Sequence, residues 1–218
     1  MADVVKPTRS YDSPRRREQA AATRGEILGA AQRLFEREGY AATSVAAIAT
    51  AAGVSTKTVY LAFETKSGLL RAAWNVLLRG DDERSPVGER PWYREVLDEP
   101  DAARKLRLNA RNSTFVRRRA GAMLEVLRAA APTDPEIDAL WQRIQAEFRD
   151  NQRAIVVSLR DLGALRPDLD VERATDILWT VNHPSVYWLL TGERGWSHED
   201  YEAWLGDTFC SQLLAAPA

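Results

Sequence analysis

The chain has 218 residues and a mass of 24.4 kDa, enough for one large domain or two small ones at roughly 100–200 residues each. Thirty Lys+Arg against 31 Asp+Glu leave it almost neutral, and 45% hydrophobic with 28% charged residues excludes a disordered chain. One cysteine, Cys210, excludes a disulfide framework, and two histidines, His183 and His198, at no ligand spacing exclude a structural zinc site and suggest no metal or cofactor.

Residues 1–18 include Pro7, Pro14 and the run Arg15-Arg16-Arg17 with hardly any apolar anchor, and they read as a flexible basic arm. No apolar segment follows that would make a signal peptide, and no apolar run approaches about 18 residues. Neither secretion nor a membrane is expected, and the cytoplasm is the default location. From Glu18 onward the apolar period is helical, so the expected fold class is all-α. Ile27, Leu28, Ala31, Leu34 and Phe35 mark a first helix that Gly39 ends. A short helix is expected over 45–52, a third over 55–63 and a fourth over 67–78. The breaker-rich stretch 80–91 is a boundary or loop. Beyond it, a short segment at 92–97 precedes long helices over 102–130 and 135–162, the second with Pro135 in its first turn. Two more are expected over 171–190 and 197–214. Pro184 should kink the first of these, and Ser197 with Asp200 should cap the second.

The charge is unevenly placed. Residues 1–70 carry ten bases and seven acids, and the remainder carries 20 bases and 24 acids, a basic head on an acidic body. Within the head, the segment Val45-Ala-Ala-Ile48-Ala49-Thr-Ala-Ala-Gly53-Val54-Ser55-Thr-Lys-Thr-Val59-Tyr60 joins two short helices by a turn of about four residues. Helices this short must pack on each other. Ala49 is small enough for the crossing, and Gly53 permits a left-handed turn residue. Ile48, Val54 and Val59 can fill the core, and Ser55 can cap the following helix. The start of that helix offers Thr56, Lys57, Thr58 and Tyr60, donors suited to phosphates and base edges. The bland alternative is an αα-hairpin that binds nothing.

From about Arg24 to Leu70 the chain resembles the tetracycline-repressor (TetR) family of bacterial transcriptional regulators. The resemblance rests on Ile27-x-x-Ala30-Ala31-x-x-Leu34-Phe35, on Gly39-Tyr40-x-x-Thr43-Ser44-Val45-x-x-Ile48-Ala49, and on Ala52-Gly53-Val54-Ser55-x-x-Thr58-Val59-Tyr60-x-x-Phe63-x-x-Lys66-x-x-Leu69-Leu70. It implies an N-terminal helix-turn-helix head over 19–66 and a C-terminal helical-bundle body over 67–218 for ligand binding and dimerisation. The implied partners are double-stranded operator DNA, a small-molecule effector and a second copy of the chain. Thr43 and Ser44 then correspond to phosphate contacts, one of them capping, and Tyr60 and Lys66 to backbone contacts. With Ser55 as cap, Thr56, Lys57 and Thr58 fall where operator sequence is read. Ala62 departs from the family's frequent His or Tyr before the Phe. Arg24 is either a phosphate contact or a solvated surface charge, and the basic arm either follows a minor groove or solubilises the chain.

In the body, Asn109 and Ser113 fall on the apolar stripe of the 102–130 helix, and Asn151 and Gln152 interrupt that of the 135–162 helix. Polar groups on apolar faces need partners. They line an effector cavity together with Trp74, Met123, Trp141, Phe148, Trp179 and His183, or they form interhelical hydrogen bonds, or they face solvent. The last two helices are aromatic beyond what one body is expected to cover. Val186, Trp188, Leu189, Tyr201, Trp204, Leu205, Phe209 and Leu213 are therefore expected at a homodimer interface, with Cys210 a small filler beside them. The reading is a ligand-responsive regulator, usually a repressor, released from a palindromic operator by a small molecule. An enzyme fares poorly because no nucleophile–base pair, phosphate-cradling loop or metal spacing is present. An adaptor that has lost DNA binding is disfavoured by Thr58, Tyr60 and Lys66.

Overall fold

The computed structural model describes residues 14–79, 88 and 90–215. The helices are α1 (Pro14–Ala42), α2 (Val45–Ala51), α3 (Thr56–Phe63), α4 (Lys66–Arg79), α5 (Pro91–Asp98), α6 (Ala102–Ala130), α7 (Pro135–Asp161), α8 (Val171–Val181), α9 (Pro184–Tyr187) and α10 (His198–Leu213). No strand occurs among the described residues, so the fold is all-α as expected. Two compact units divide between Ala73 and Trp74, beyond the boundary at residue 66 that the motif suggested. Leu69 and Leu70 are wholly buried and belong to the first unit, while α4 runs on to Arg79 without interruption.

In the first unit, α1 begins at Pro14, inside the stretch expected to be an arm. Proline suits a first helical position because its missing N–H has no partner there anyway. The Arg and Ala residues after it are strong helix formers, so the helix extends four residues ahead of Glu18. The remainder of the arm, 1–13, lies outside the described residues. Gly39 breaks the helix with φ 79 and ψ 170, and one further turn reaches Ala42. Ile27, Ala31 and Phe35 from α1, Ile48 and Ala49 from α2, and Val59 from α3 are each at most 2% exposed. Ile48 and Val59 thus fill the core as the spacing predicted, whereas Val54, expected beside them, is only half-buried in the turn.

The body is built on the long helices. Gly206 of α10 crosses α6 so closely that an added Cβ would sit 3.2 Å from Arg107 Cγ and 3.7 Å from Ala110 Cβ. Beneath that crossing, Leu106, Ala110, Ile155, Leu159, Leu178, Tyr201, Leu205 and Phe209 share one core. Lys105, 1% exposed, ties three helices by donating from Nζ to Leu97 O at 2.6 Å and to Ser158 Oγ at 2.5 Å. On the surface, Arg149 and Arg153 of α7 pair with Glu172 of α8 at 3.0 and 2.8 Å.

The stretch 171–190, expected as one kinked helix, is instead broken. Proline 184 has no N–H to offer Thr180 and its ring crowds that carbonyl. The helix therefore stops at Val181, with Asn182 N bonded to Leu178 O at 2.9 Å. His183 starts the next turn as an N-cap, its Nδ1 accepting from Ser185 N at 3.2 Å. The chain then widens into a π-helical run, Trp188–Glu193.

A second close approach lies between α3 and α4. A Cβ on Gly68 would overlap the carbonyl oxygen of Phe63, so Gly68→Ala should cost about 1–3 kcal/mol, the range for overpacking a tight site. Chemical denaturation of the two proteins measures it, and an unchanged midpoint would contradict the packing.

Candidate functional site

The first unit presents one surface built for recognition. The α2–α3 turn closes through a Schellman arrangement in which Val54 N bonds to Ala49 O at 3.0 Å and Gly53 N to Thr50 O at 3.1 Å. Gly53 takes φ 66 to allow it. The two helices consequently meet at a bend of 108°, inside the range of a helix-turn-helix. Ser55 caps α3 by accepting from Thr58 N at 3.1 Å, and its hydroxyl also pairs with Thr58 Oγ1 at 2.9 Å. Thr56 and Lys57 at the α3 start are exposed, and Tyr60 and Leu61 follow at 49% and 77% exposure. Hydroxyls and a cation thus stand at the N-terminal turn of a helix whose positive end favours phosphate, with a phenol and an apolar side chain exposed one turn further on.

Two of the expected contacts, Thr43 and Arg24, are engaged within the head, while Ser44 caps as expected. Thr43 is 1% exposed, with its hydroxyl donating to Gly39 O at 2.7 Å and Leu34 O at 3.2 Å. It locks the α1–α2 joint, and its side chain is not presented to a phosphate. Ser44 is the partner that caps, its Oγ accepting from Ala47 N at 3.1 Å. Arg24 is exposed but engaged with α3: Nη1 donates to Ala62 O at 2.8 Å, and the guanidinium lies 4.2 Å from the Phe63 ring centroid. A cation there suits the negative end of α3, so Arg24 orients that helix. Alongside, a shallow groove of about 460 Å³ runs between α1 and α3, bordered by Thr23, Arg24, Thr58 and Leu61. Lys66 Nζ sits 4.2 Å from the Tyr40 ring, and α4 is opened by Thr65, whose Oγ1 accepts from Gly68 N at 2.9 Å.

The body gathers some of its expected residues and separates others. Gln152 Oε1 accepts from Asn109 Nδ2 at 3.3 Å and from Asn182 Nδ2 at 3.1 Å, while Asn182 Nδ2 also donates to Ser113 Oγ at 3.0 Å. Two residues missing from the sequence expectation complete this cluster. Asn182 is wholly buried, and Arg117, 6% exposed, donates from Nη2 to Asn182 O. Arg117 follows Ser113 by four and Asn109 by eight, so helical spacing placed it on the same stripe. Its neighbours in the run, Arg118 and Arg119, are exposed. Phe148 reaches the cluster with its ring centroid 5.9 Å from the Arg117 guanidinium. Trp179 and His183 stack edge-on at 5.0 Å.

Trp74 and Met123, at 2% and 0% exposure, pack in the interior. Asn151 accepts at its carbonyl from Tyr93 OH at 2.5 Å, a link between α5 and α7. Trp141 is half-buried, with no described tie to the cluster.

The expected dimer stripe needs a larger correction. Tyr201, Leu205, Phe209 and Leu213 are at most 1% exposed within a single chain, because α6 and α8 cover them. A helix-periodic stripe looks the same whether its cover comes from the same chain or a second one. Leu189 remains 51% exposed, and Val186, Trp188 and Trp204 remain half-buried. Trp196, 37% exposed, meets Trp204 edge-on at 6.0 Å. No single helix among the described residues is long and apolar enough to cross a membrane.

A capped recognition helix held across a second short helix by a glycine turn defines a helix-turn-helix protein. Residues 27–73 match the tetR family of bacterial regulatory proteins. The chain is 30% identical over 208 residues to ArpR of Pseudomonas putida, covering 94% of this chain and 97% of ArpR. The chain belongs to the tetR family and is a transcriptional regulator. Among solved structures it is similar in fold to NalD, the secondary repressor of the MexAB-OprM multidrug efflux pump in Pseudomonas aeruginosa. There the TM-score is 0.68 at 21% identity, over 90% of this chain and 98% of that one. It is also similar to SmeT in complex with triclosan, with TM-score 0.65 and 20% identity over 89% and 92% of the two chains.

Two outcomes follow from the geometry. Lys57→Ala should lower the slope of log affinity against log salt by about one unit, if a phosphate is its target. Thr43→Val should lower the melting temperature and leave that slope unchanged. Operator titrations across salt, beside thermal melts, read both. Separately, burial first, then the charges of Arg117 and Arg128, push His183 below its ordinary value of 6.5. The folded protein keeps that ring neutral, whereas the unfolded chain takes up a proton below pH 6.5. Stability should therefore decline on acidification from 6.5 toward the depressed folded value. His183→Asn, which keeps an N-cap acceptor, should flatten melting temperature against pH in that window.

Proposed function

We propose that the chain is a ligand-responsive repressor that grips a palindromic operator as a homodimer through the α2–α3 unit. A small molecule bound in the C-terminal body would release it. The observation that carries the reading is the exposed start of α3: Thr56, Lys57 and Tyr60 stand free of the head's core, while Ser55, Arg24 and the Gly53 turn hold the helix that bears them. Lys57 and Tyr60 are proposed as contacts with DNA, Thr56 and Thr58 as readers of base edges, and Ser44, Ser55 and Lys66 as supports near the phosphates. In functional terms the division is a head over 19–66, with Arg24 orienting its recognition helix, and a body from 67 to 218.

Two heads would engage half-sites one duplex turn apart, about 34–36 Å. Effector and operator would then weaken each other's binding reciprocally. The polar cluster of Asn109, Ser113, Gln152 and Asn182, set among Phe148, Trp179 and His183, supports an effector site in the body, because a few convergent polar groups among aromatic walls are the usual make-up of one. SmeT, a solved relative in fold, is complexed with triclosan. For the second copy, Val186, Trp188, Leu189 and Trp204 are the proposed contacts.

Gel shifts and footprints on the region upstream of the chain's own gene, and of any divergently transcribed neighbour, test the reading. A specific shift with a two-fold symmetric footprint is expected, together with a sedimentation mass twice 24.4 kDa. Leu189→Glu should reduce both the dimer and the shift. Absence of specific binding at low salt would overturn the proposal.

A further inference from the structure

Arg117 is a buried charge of the body with no counter-ion among the described residues. Several body arginines nearer the surface have carboxylates: Arg107 pairs with Asp207 at 3.1 Å, Arg149 with Glu172 at 3.0 Å, and Arg166 with Asp168 at 2.6 Å. Arg117 is 6% exposed, and no carboxylate among the described residues acts on it. Its described hydrogen bond goes to the carbonyl of Asn182, the C-cap of α8, and its Nε has no partner. A helix C-terminus supplies only about half a negative charge, whereas burying a whole cation without compensation costs several kcal/mol. Burial lowers its proton affinity, yet guanidinium stays charged in proteins.

The surroundings add donors and walls and bring no anion. The buried Tyr201 hydroxyl and Trp179 Nε1 have no partners. The Tyr187 hydroxyl is paired with His198 Nδ1 at 3.0 Å. The Phe148 ring lies 5.9 Å from the guanidinium, and the Trp179 ring packs on His183, next in sequence to Asn182. Asn182 Oδ1 is a buried acceptor without a partner. The described groups thus offer one full cation, two spare donors and two aromatic faces.

We propose that Arg117 is the anion anchor of the effector site and that the effector class is an aromatic acid. Its carboxylate accepts from the Arg117 guanidinium, and its ring lies against Phe148 and Trp179. The inference rests on the effector-site reading above and narrows it to one charge class.

Three isosteres test it on the unaltered protein by calorimetry: 2-naphthoate, 2-naphthamide and 2-naphthylmethylammonium. The carboxylate should bind at least ~10-fold more tightly than the amide, as a hydrogen-bonded buried charge implies, and the ammonium weakest. Any other order overturns the proposal, as does failure of all three to bind below about 10 mM. Arg117→Met should erase the order, and an order that survives it also overturns the proposal. Should that variant not fold, Arg117→Lys keeps the charge without the fork and should shrink the gap between carboxylate and amide; an undiminished gap counts against the anchor. Operator release separates the two readings. Release by the amide or the ammonium, but not the carboxylate, sinks the anion anchor and leaves a ligand-responsive repressor. A carboxylate that binds through Arg117 without loosening operator binding leaves the anchor standing and removes the effector role.

Discussion

Presentation of the recognition helix depends on the backbone at residue 53. A positive φ there turns the chain so that Val54 and Gly53 can return their N–H groups to Ala49 and Thr50. Only a residue without a Cβ does this at little conformational cost. The turn then delivers Ser55 in the extended conformation of an N-cap and swings α3 through 108° from α2. Everything exposed on α3 inherits its direction from this step. Ile48, Val59 and Phe35 seal the angle from beneath, and Arg24 holds the far end of α3 through Ala62 O. The head is consequently a rigid mount for a few exposed donors, the arrangement in which a small set of side chains can specify a surface.

In the body, the controlling residue is Pro184. By ending α8 one turn early it leaves the Asn182 carbonyl without a helical donor. Arg117 meets that carbonyl from α6. The same break brings the Asn182 amide to Gln152 and Ser113 and makes His183 a cap. A proline-forced helix end thus draws together α6, α7 and α8 around polar atoms that a continuous helix would have satisfied internally. The result is a polar cluster inside an apolar bundle, in which Arg117 Nε and Asn182 Oδ1 lack partners. Such clusters are energetically expensive unless something completes them.

Much of this was legible from residue spacing. The helical periods, the caps Ser44, Ser55 and Ser197, and the turn at Gly53 are local features, decided by residues within a few positions of one another. The motif around Thr43–Lys66 was recognisable for the same reason, because a helix-turn-helix is nearly contained in one short segment. Thr43 was misplaced because a threonine before a helix has two good uses, capping outward or bonding inward. Only the position of the Gly39 carbonyl chooses between them. Arg117 was not among the expected residues: its spacing from Asn109 and Ser113 puts it on the buried stripe, but in a run of three arginines only the opposing helices decide which one is covered.

By itself, the sequence determined the all-α class, the head and the composition of its recognition helix, since these follow from backbone propensity and short-range side-chain chemistry. Length and near-neutrality had allowed one domain or two, and a single cysteine ruled out a disulfide framework. The tertiary structure decided which apolar stripes are covered within one chain, turning Tyr201, Leu205, Phe209 and Leu213 from a supposed interface into core. It also decided which buried polar groups find partners. Burial is a property of what lies opposite, and for residues 69 to 107 positions apart, such as Ser113 and Asn182 or Ala103 and Cys210, no local pattern encodes the opposite side.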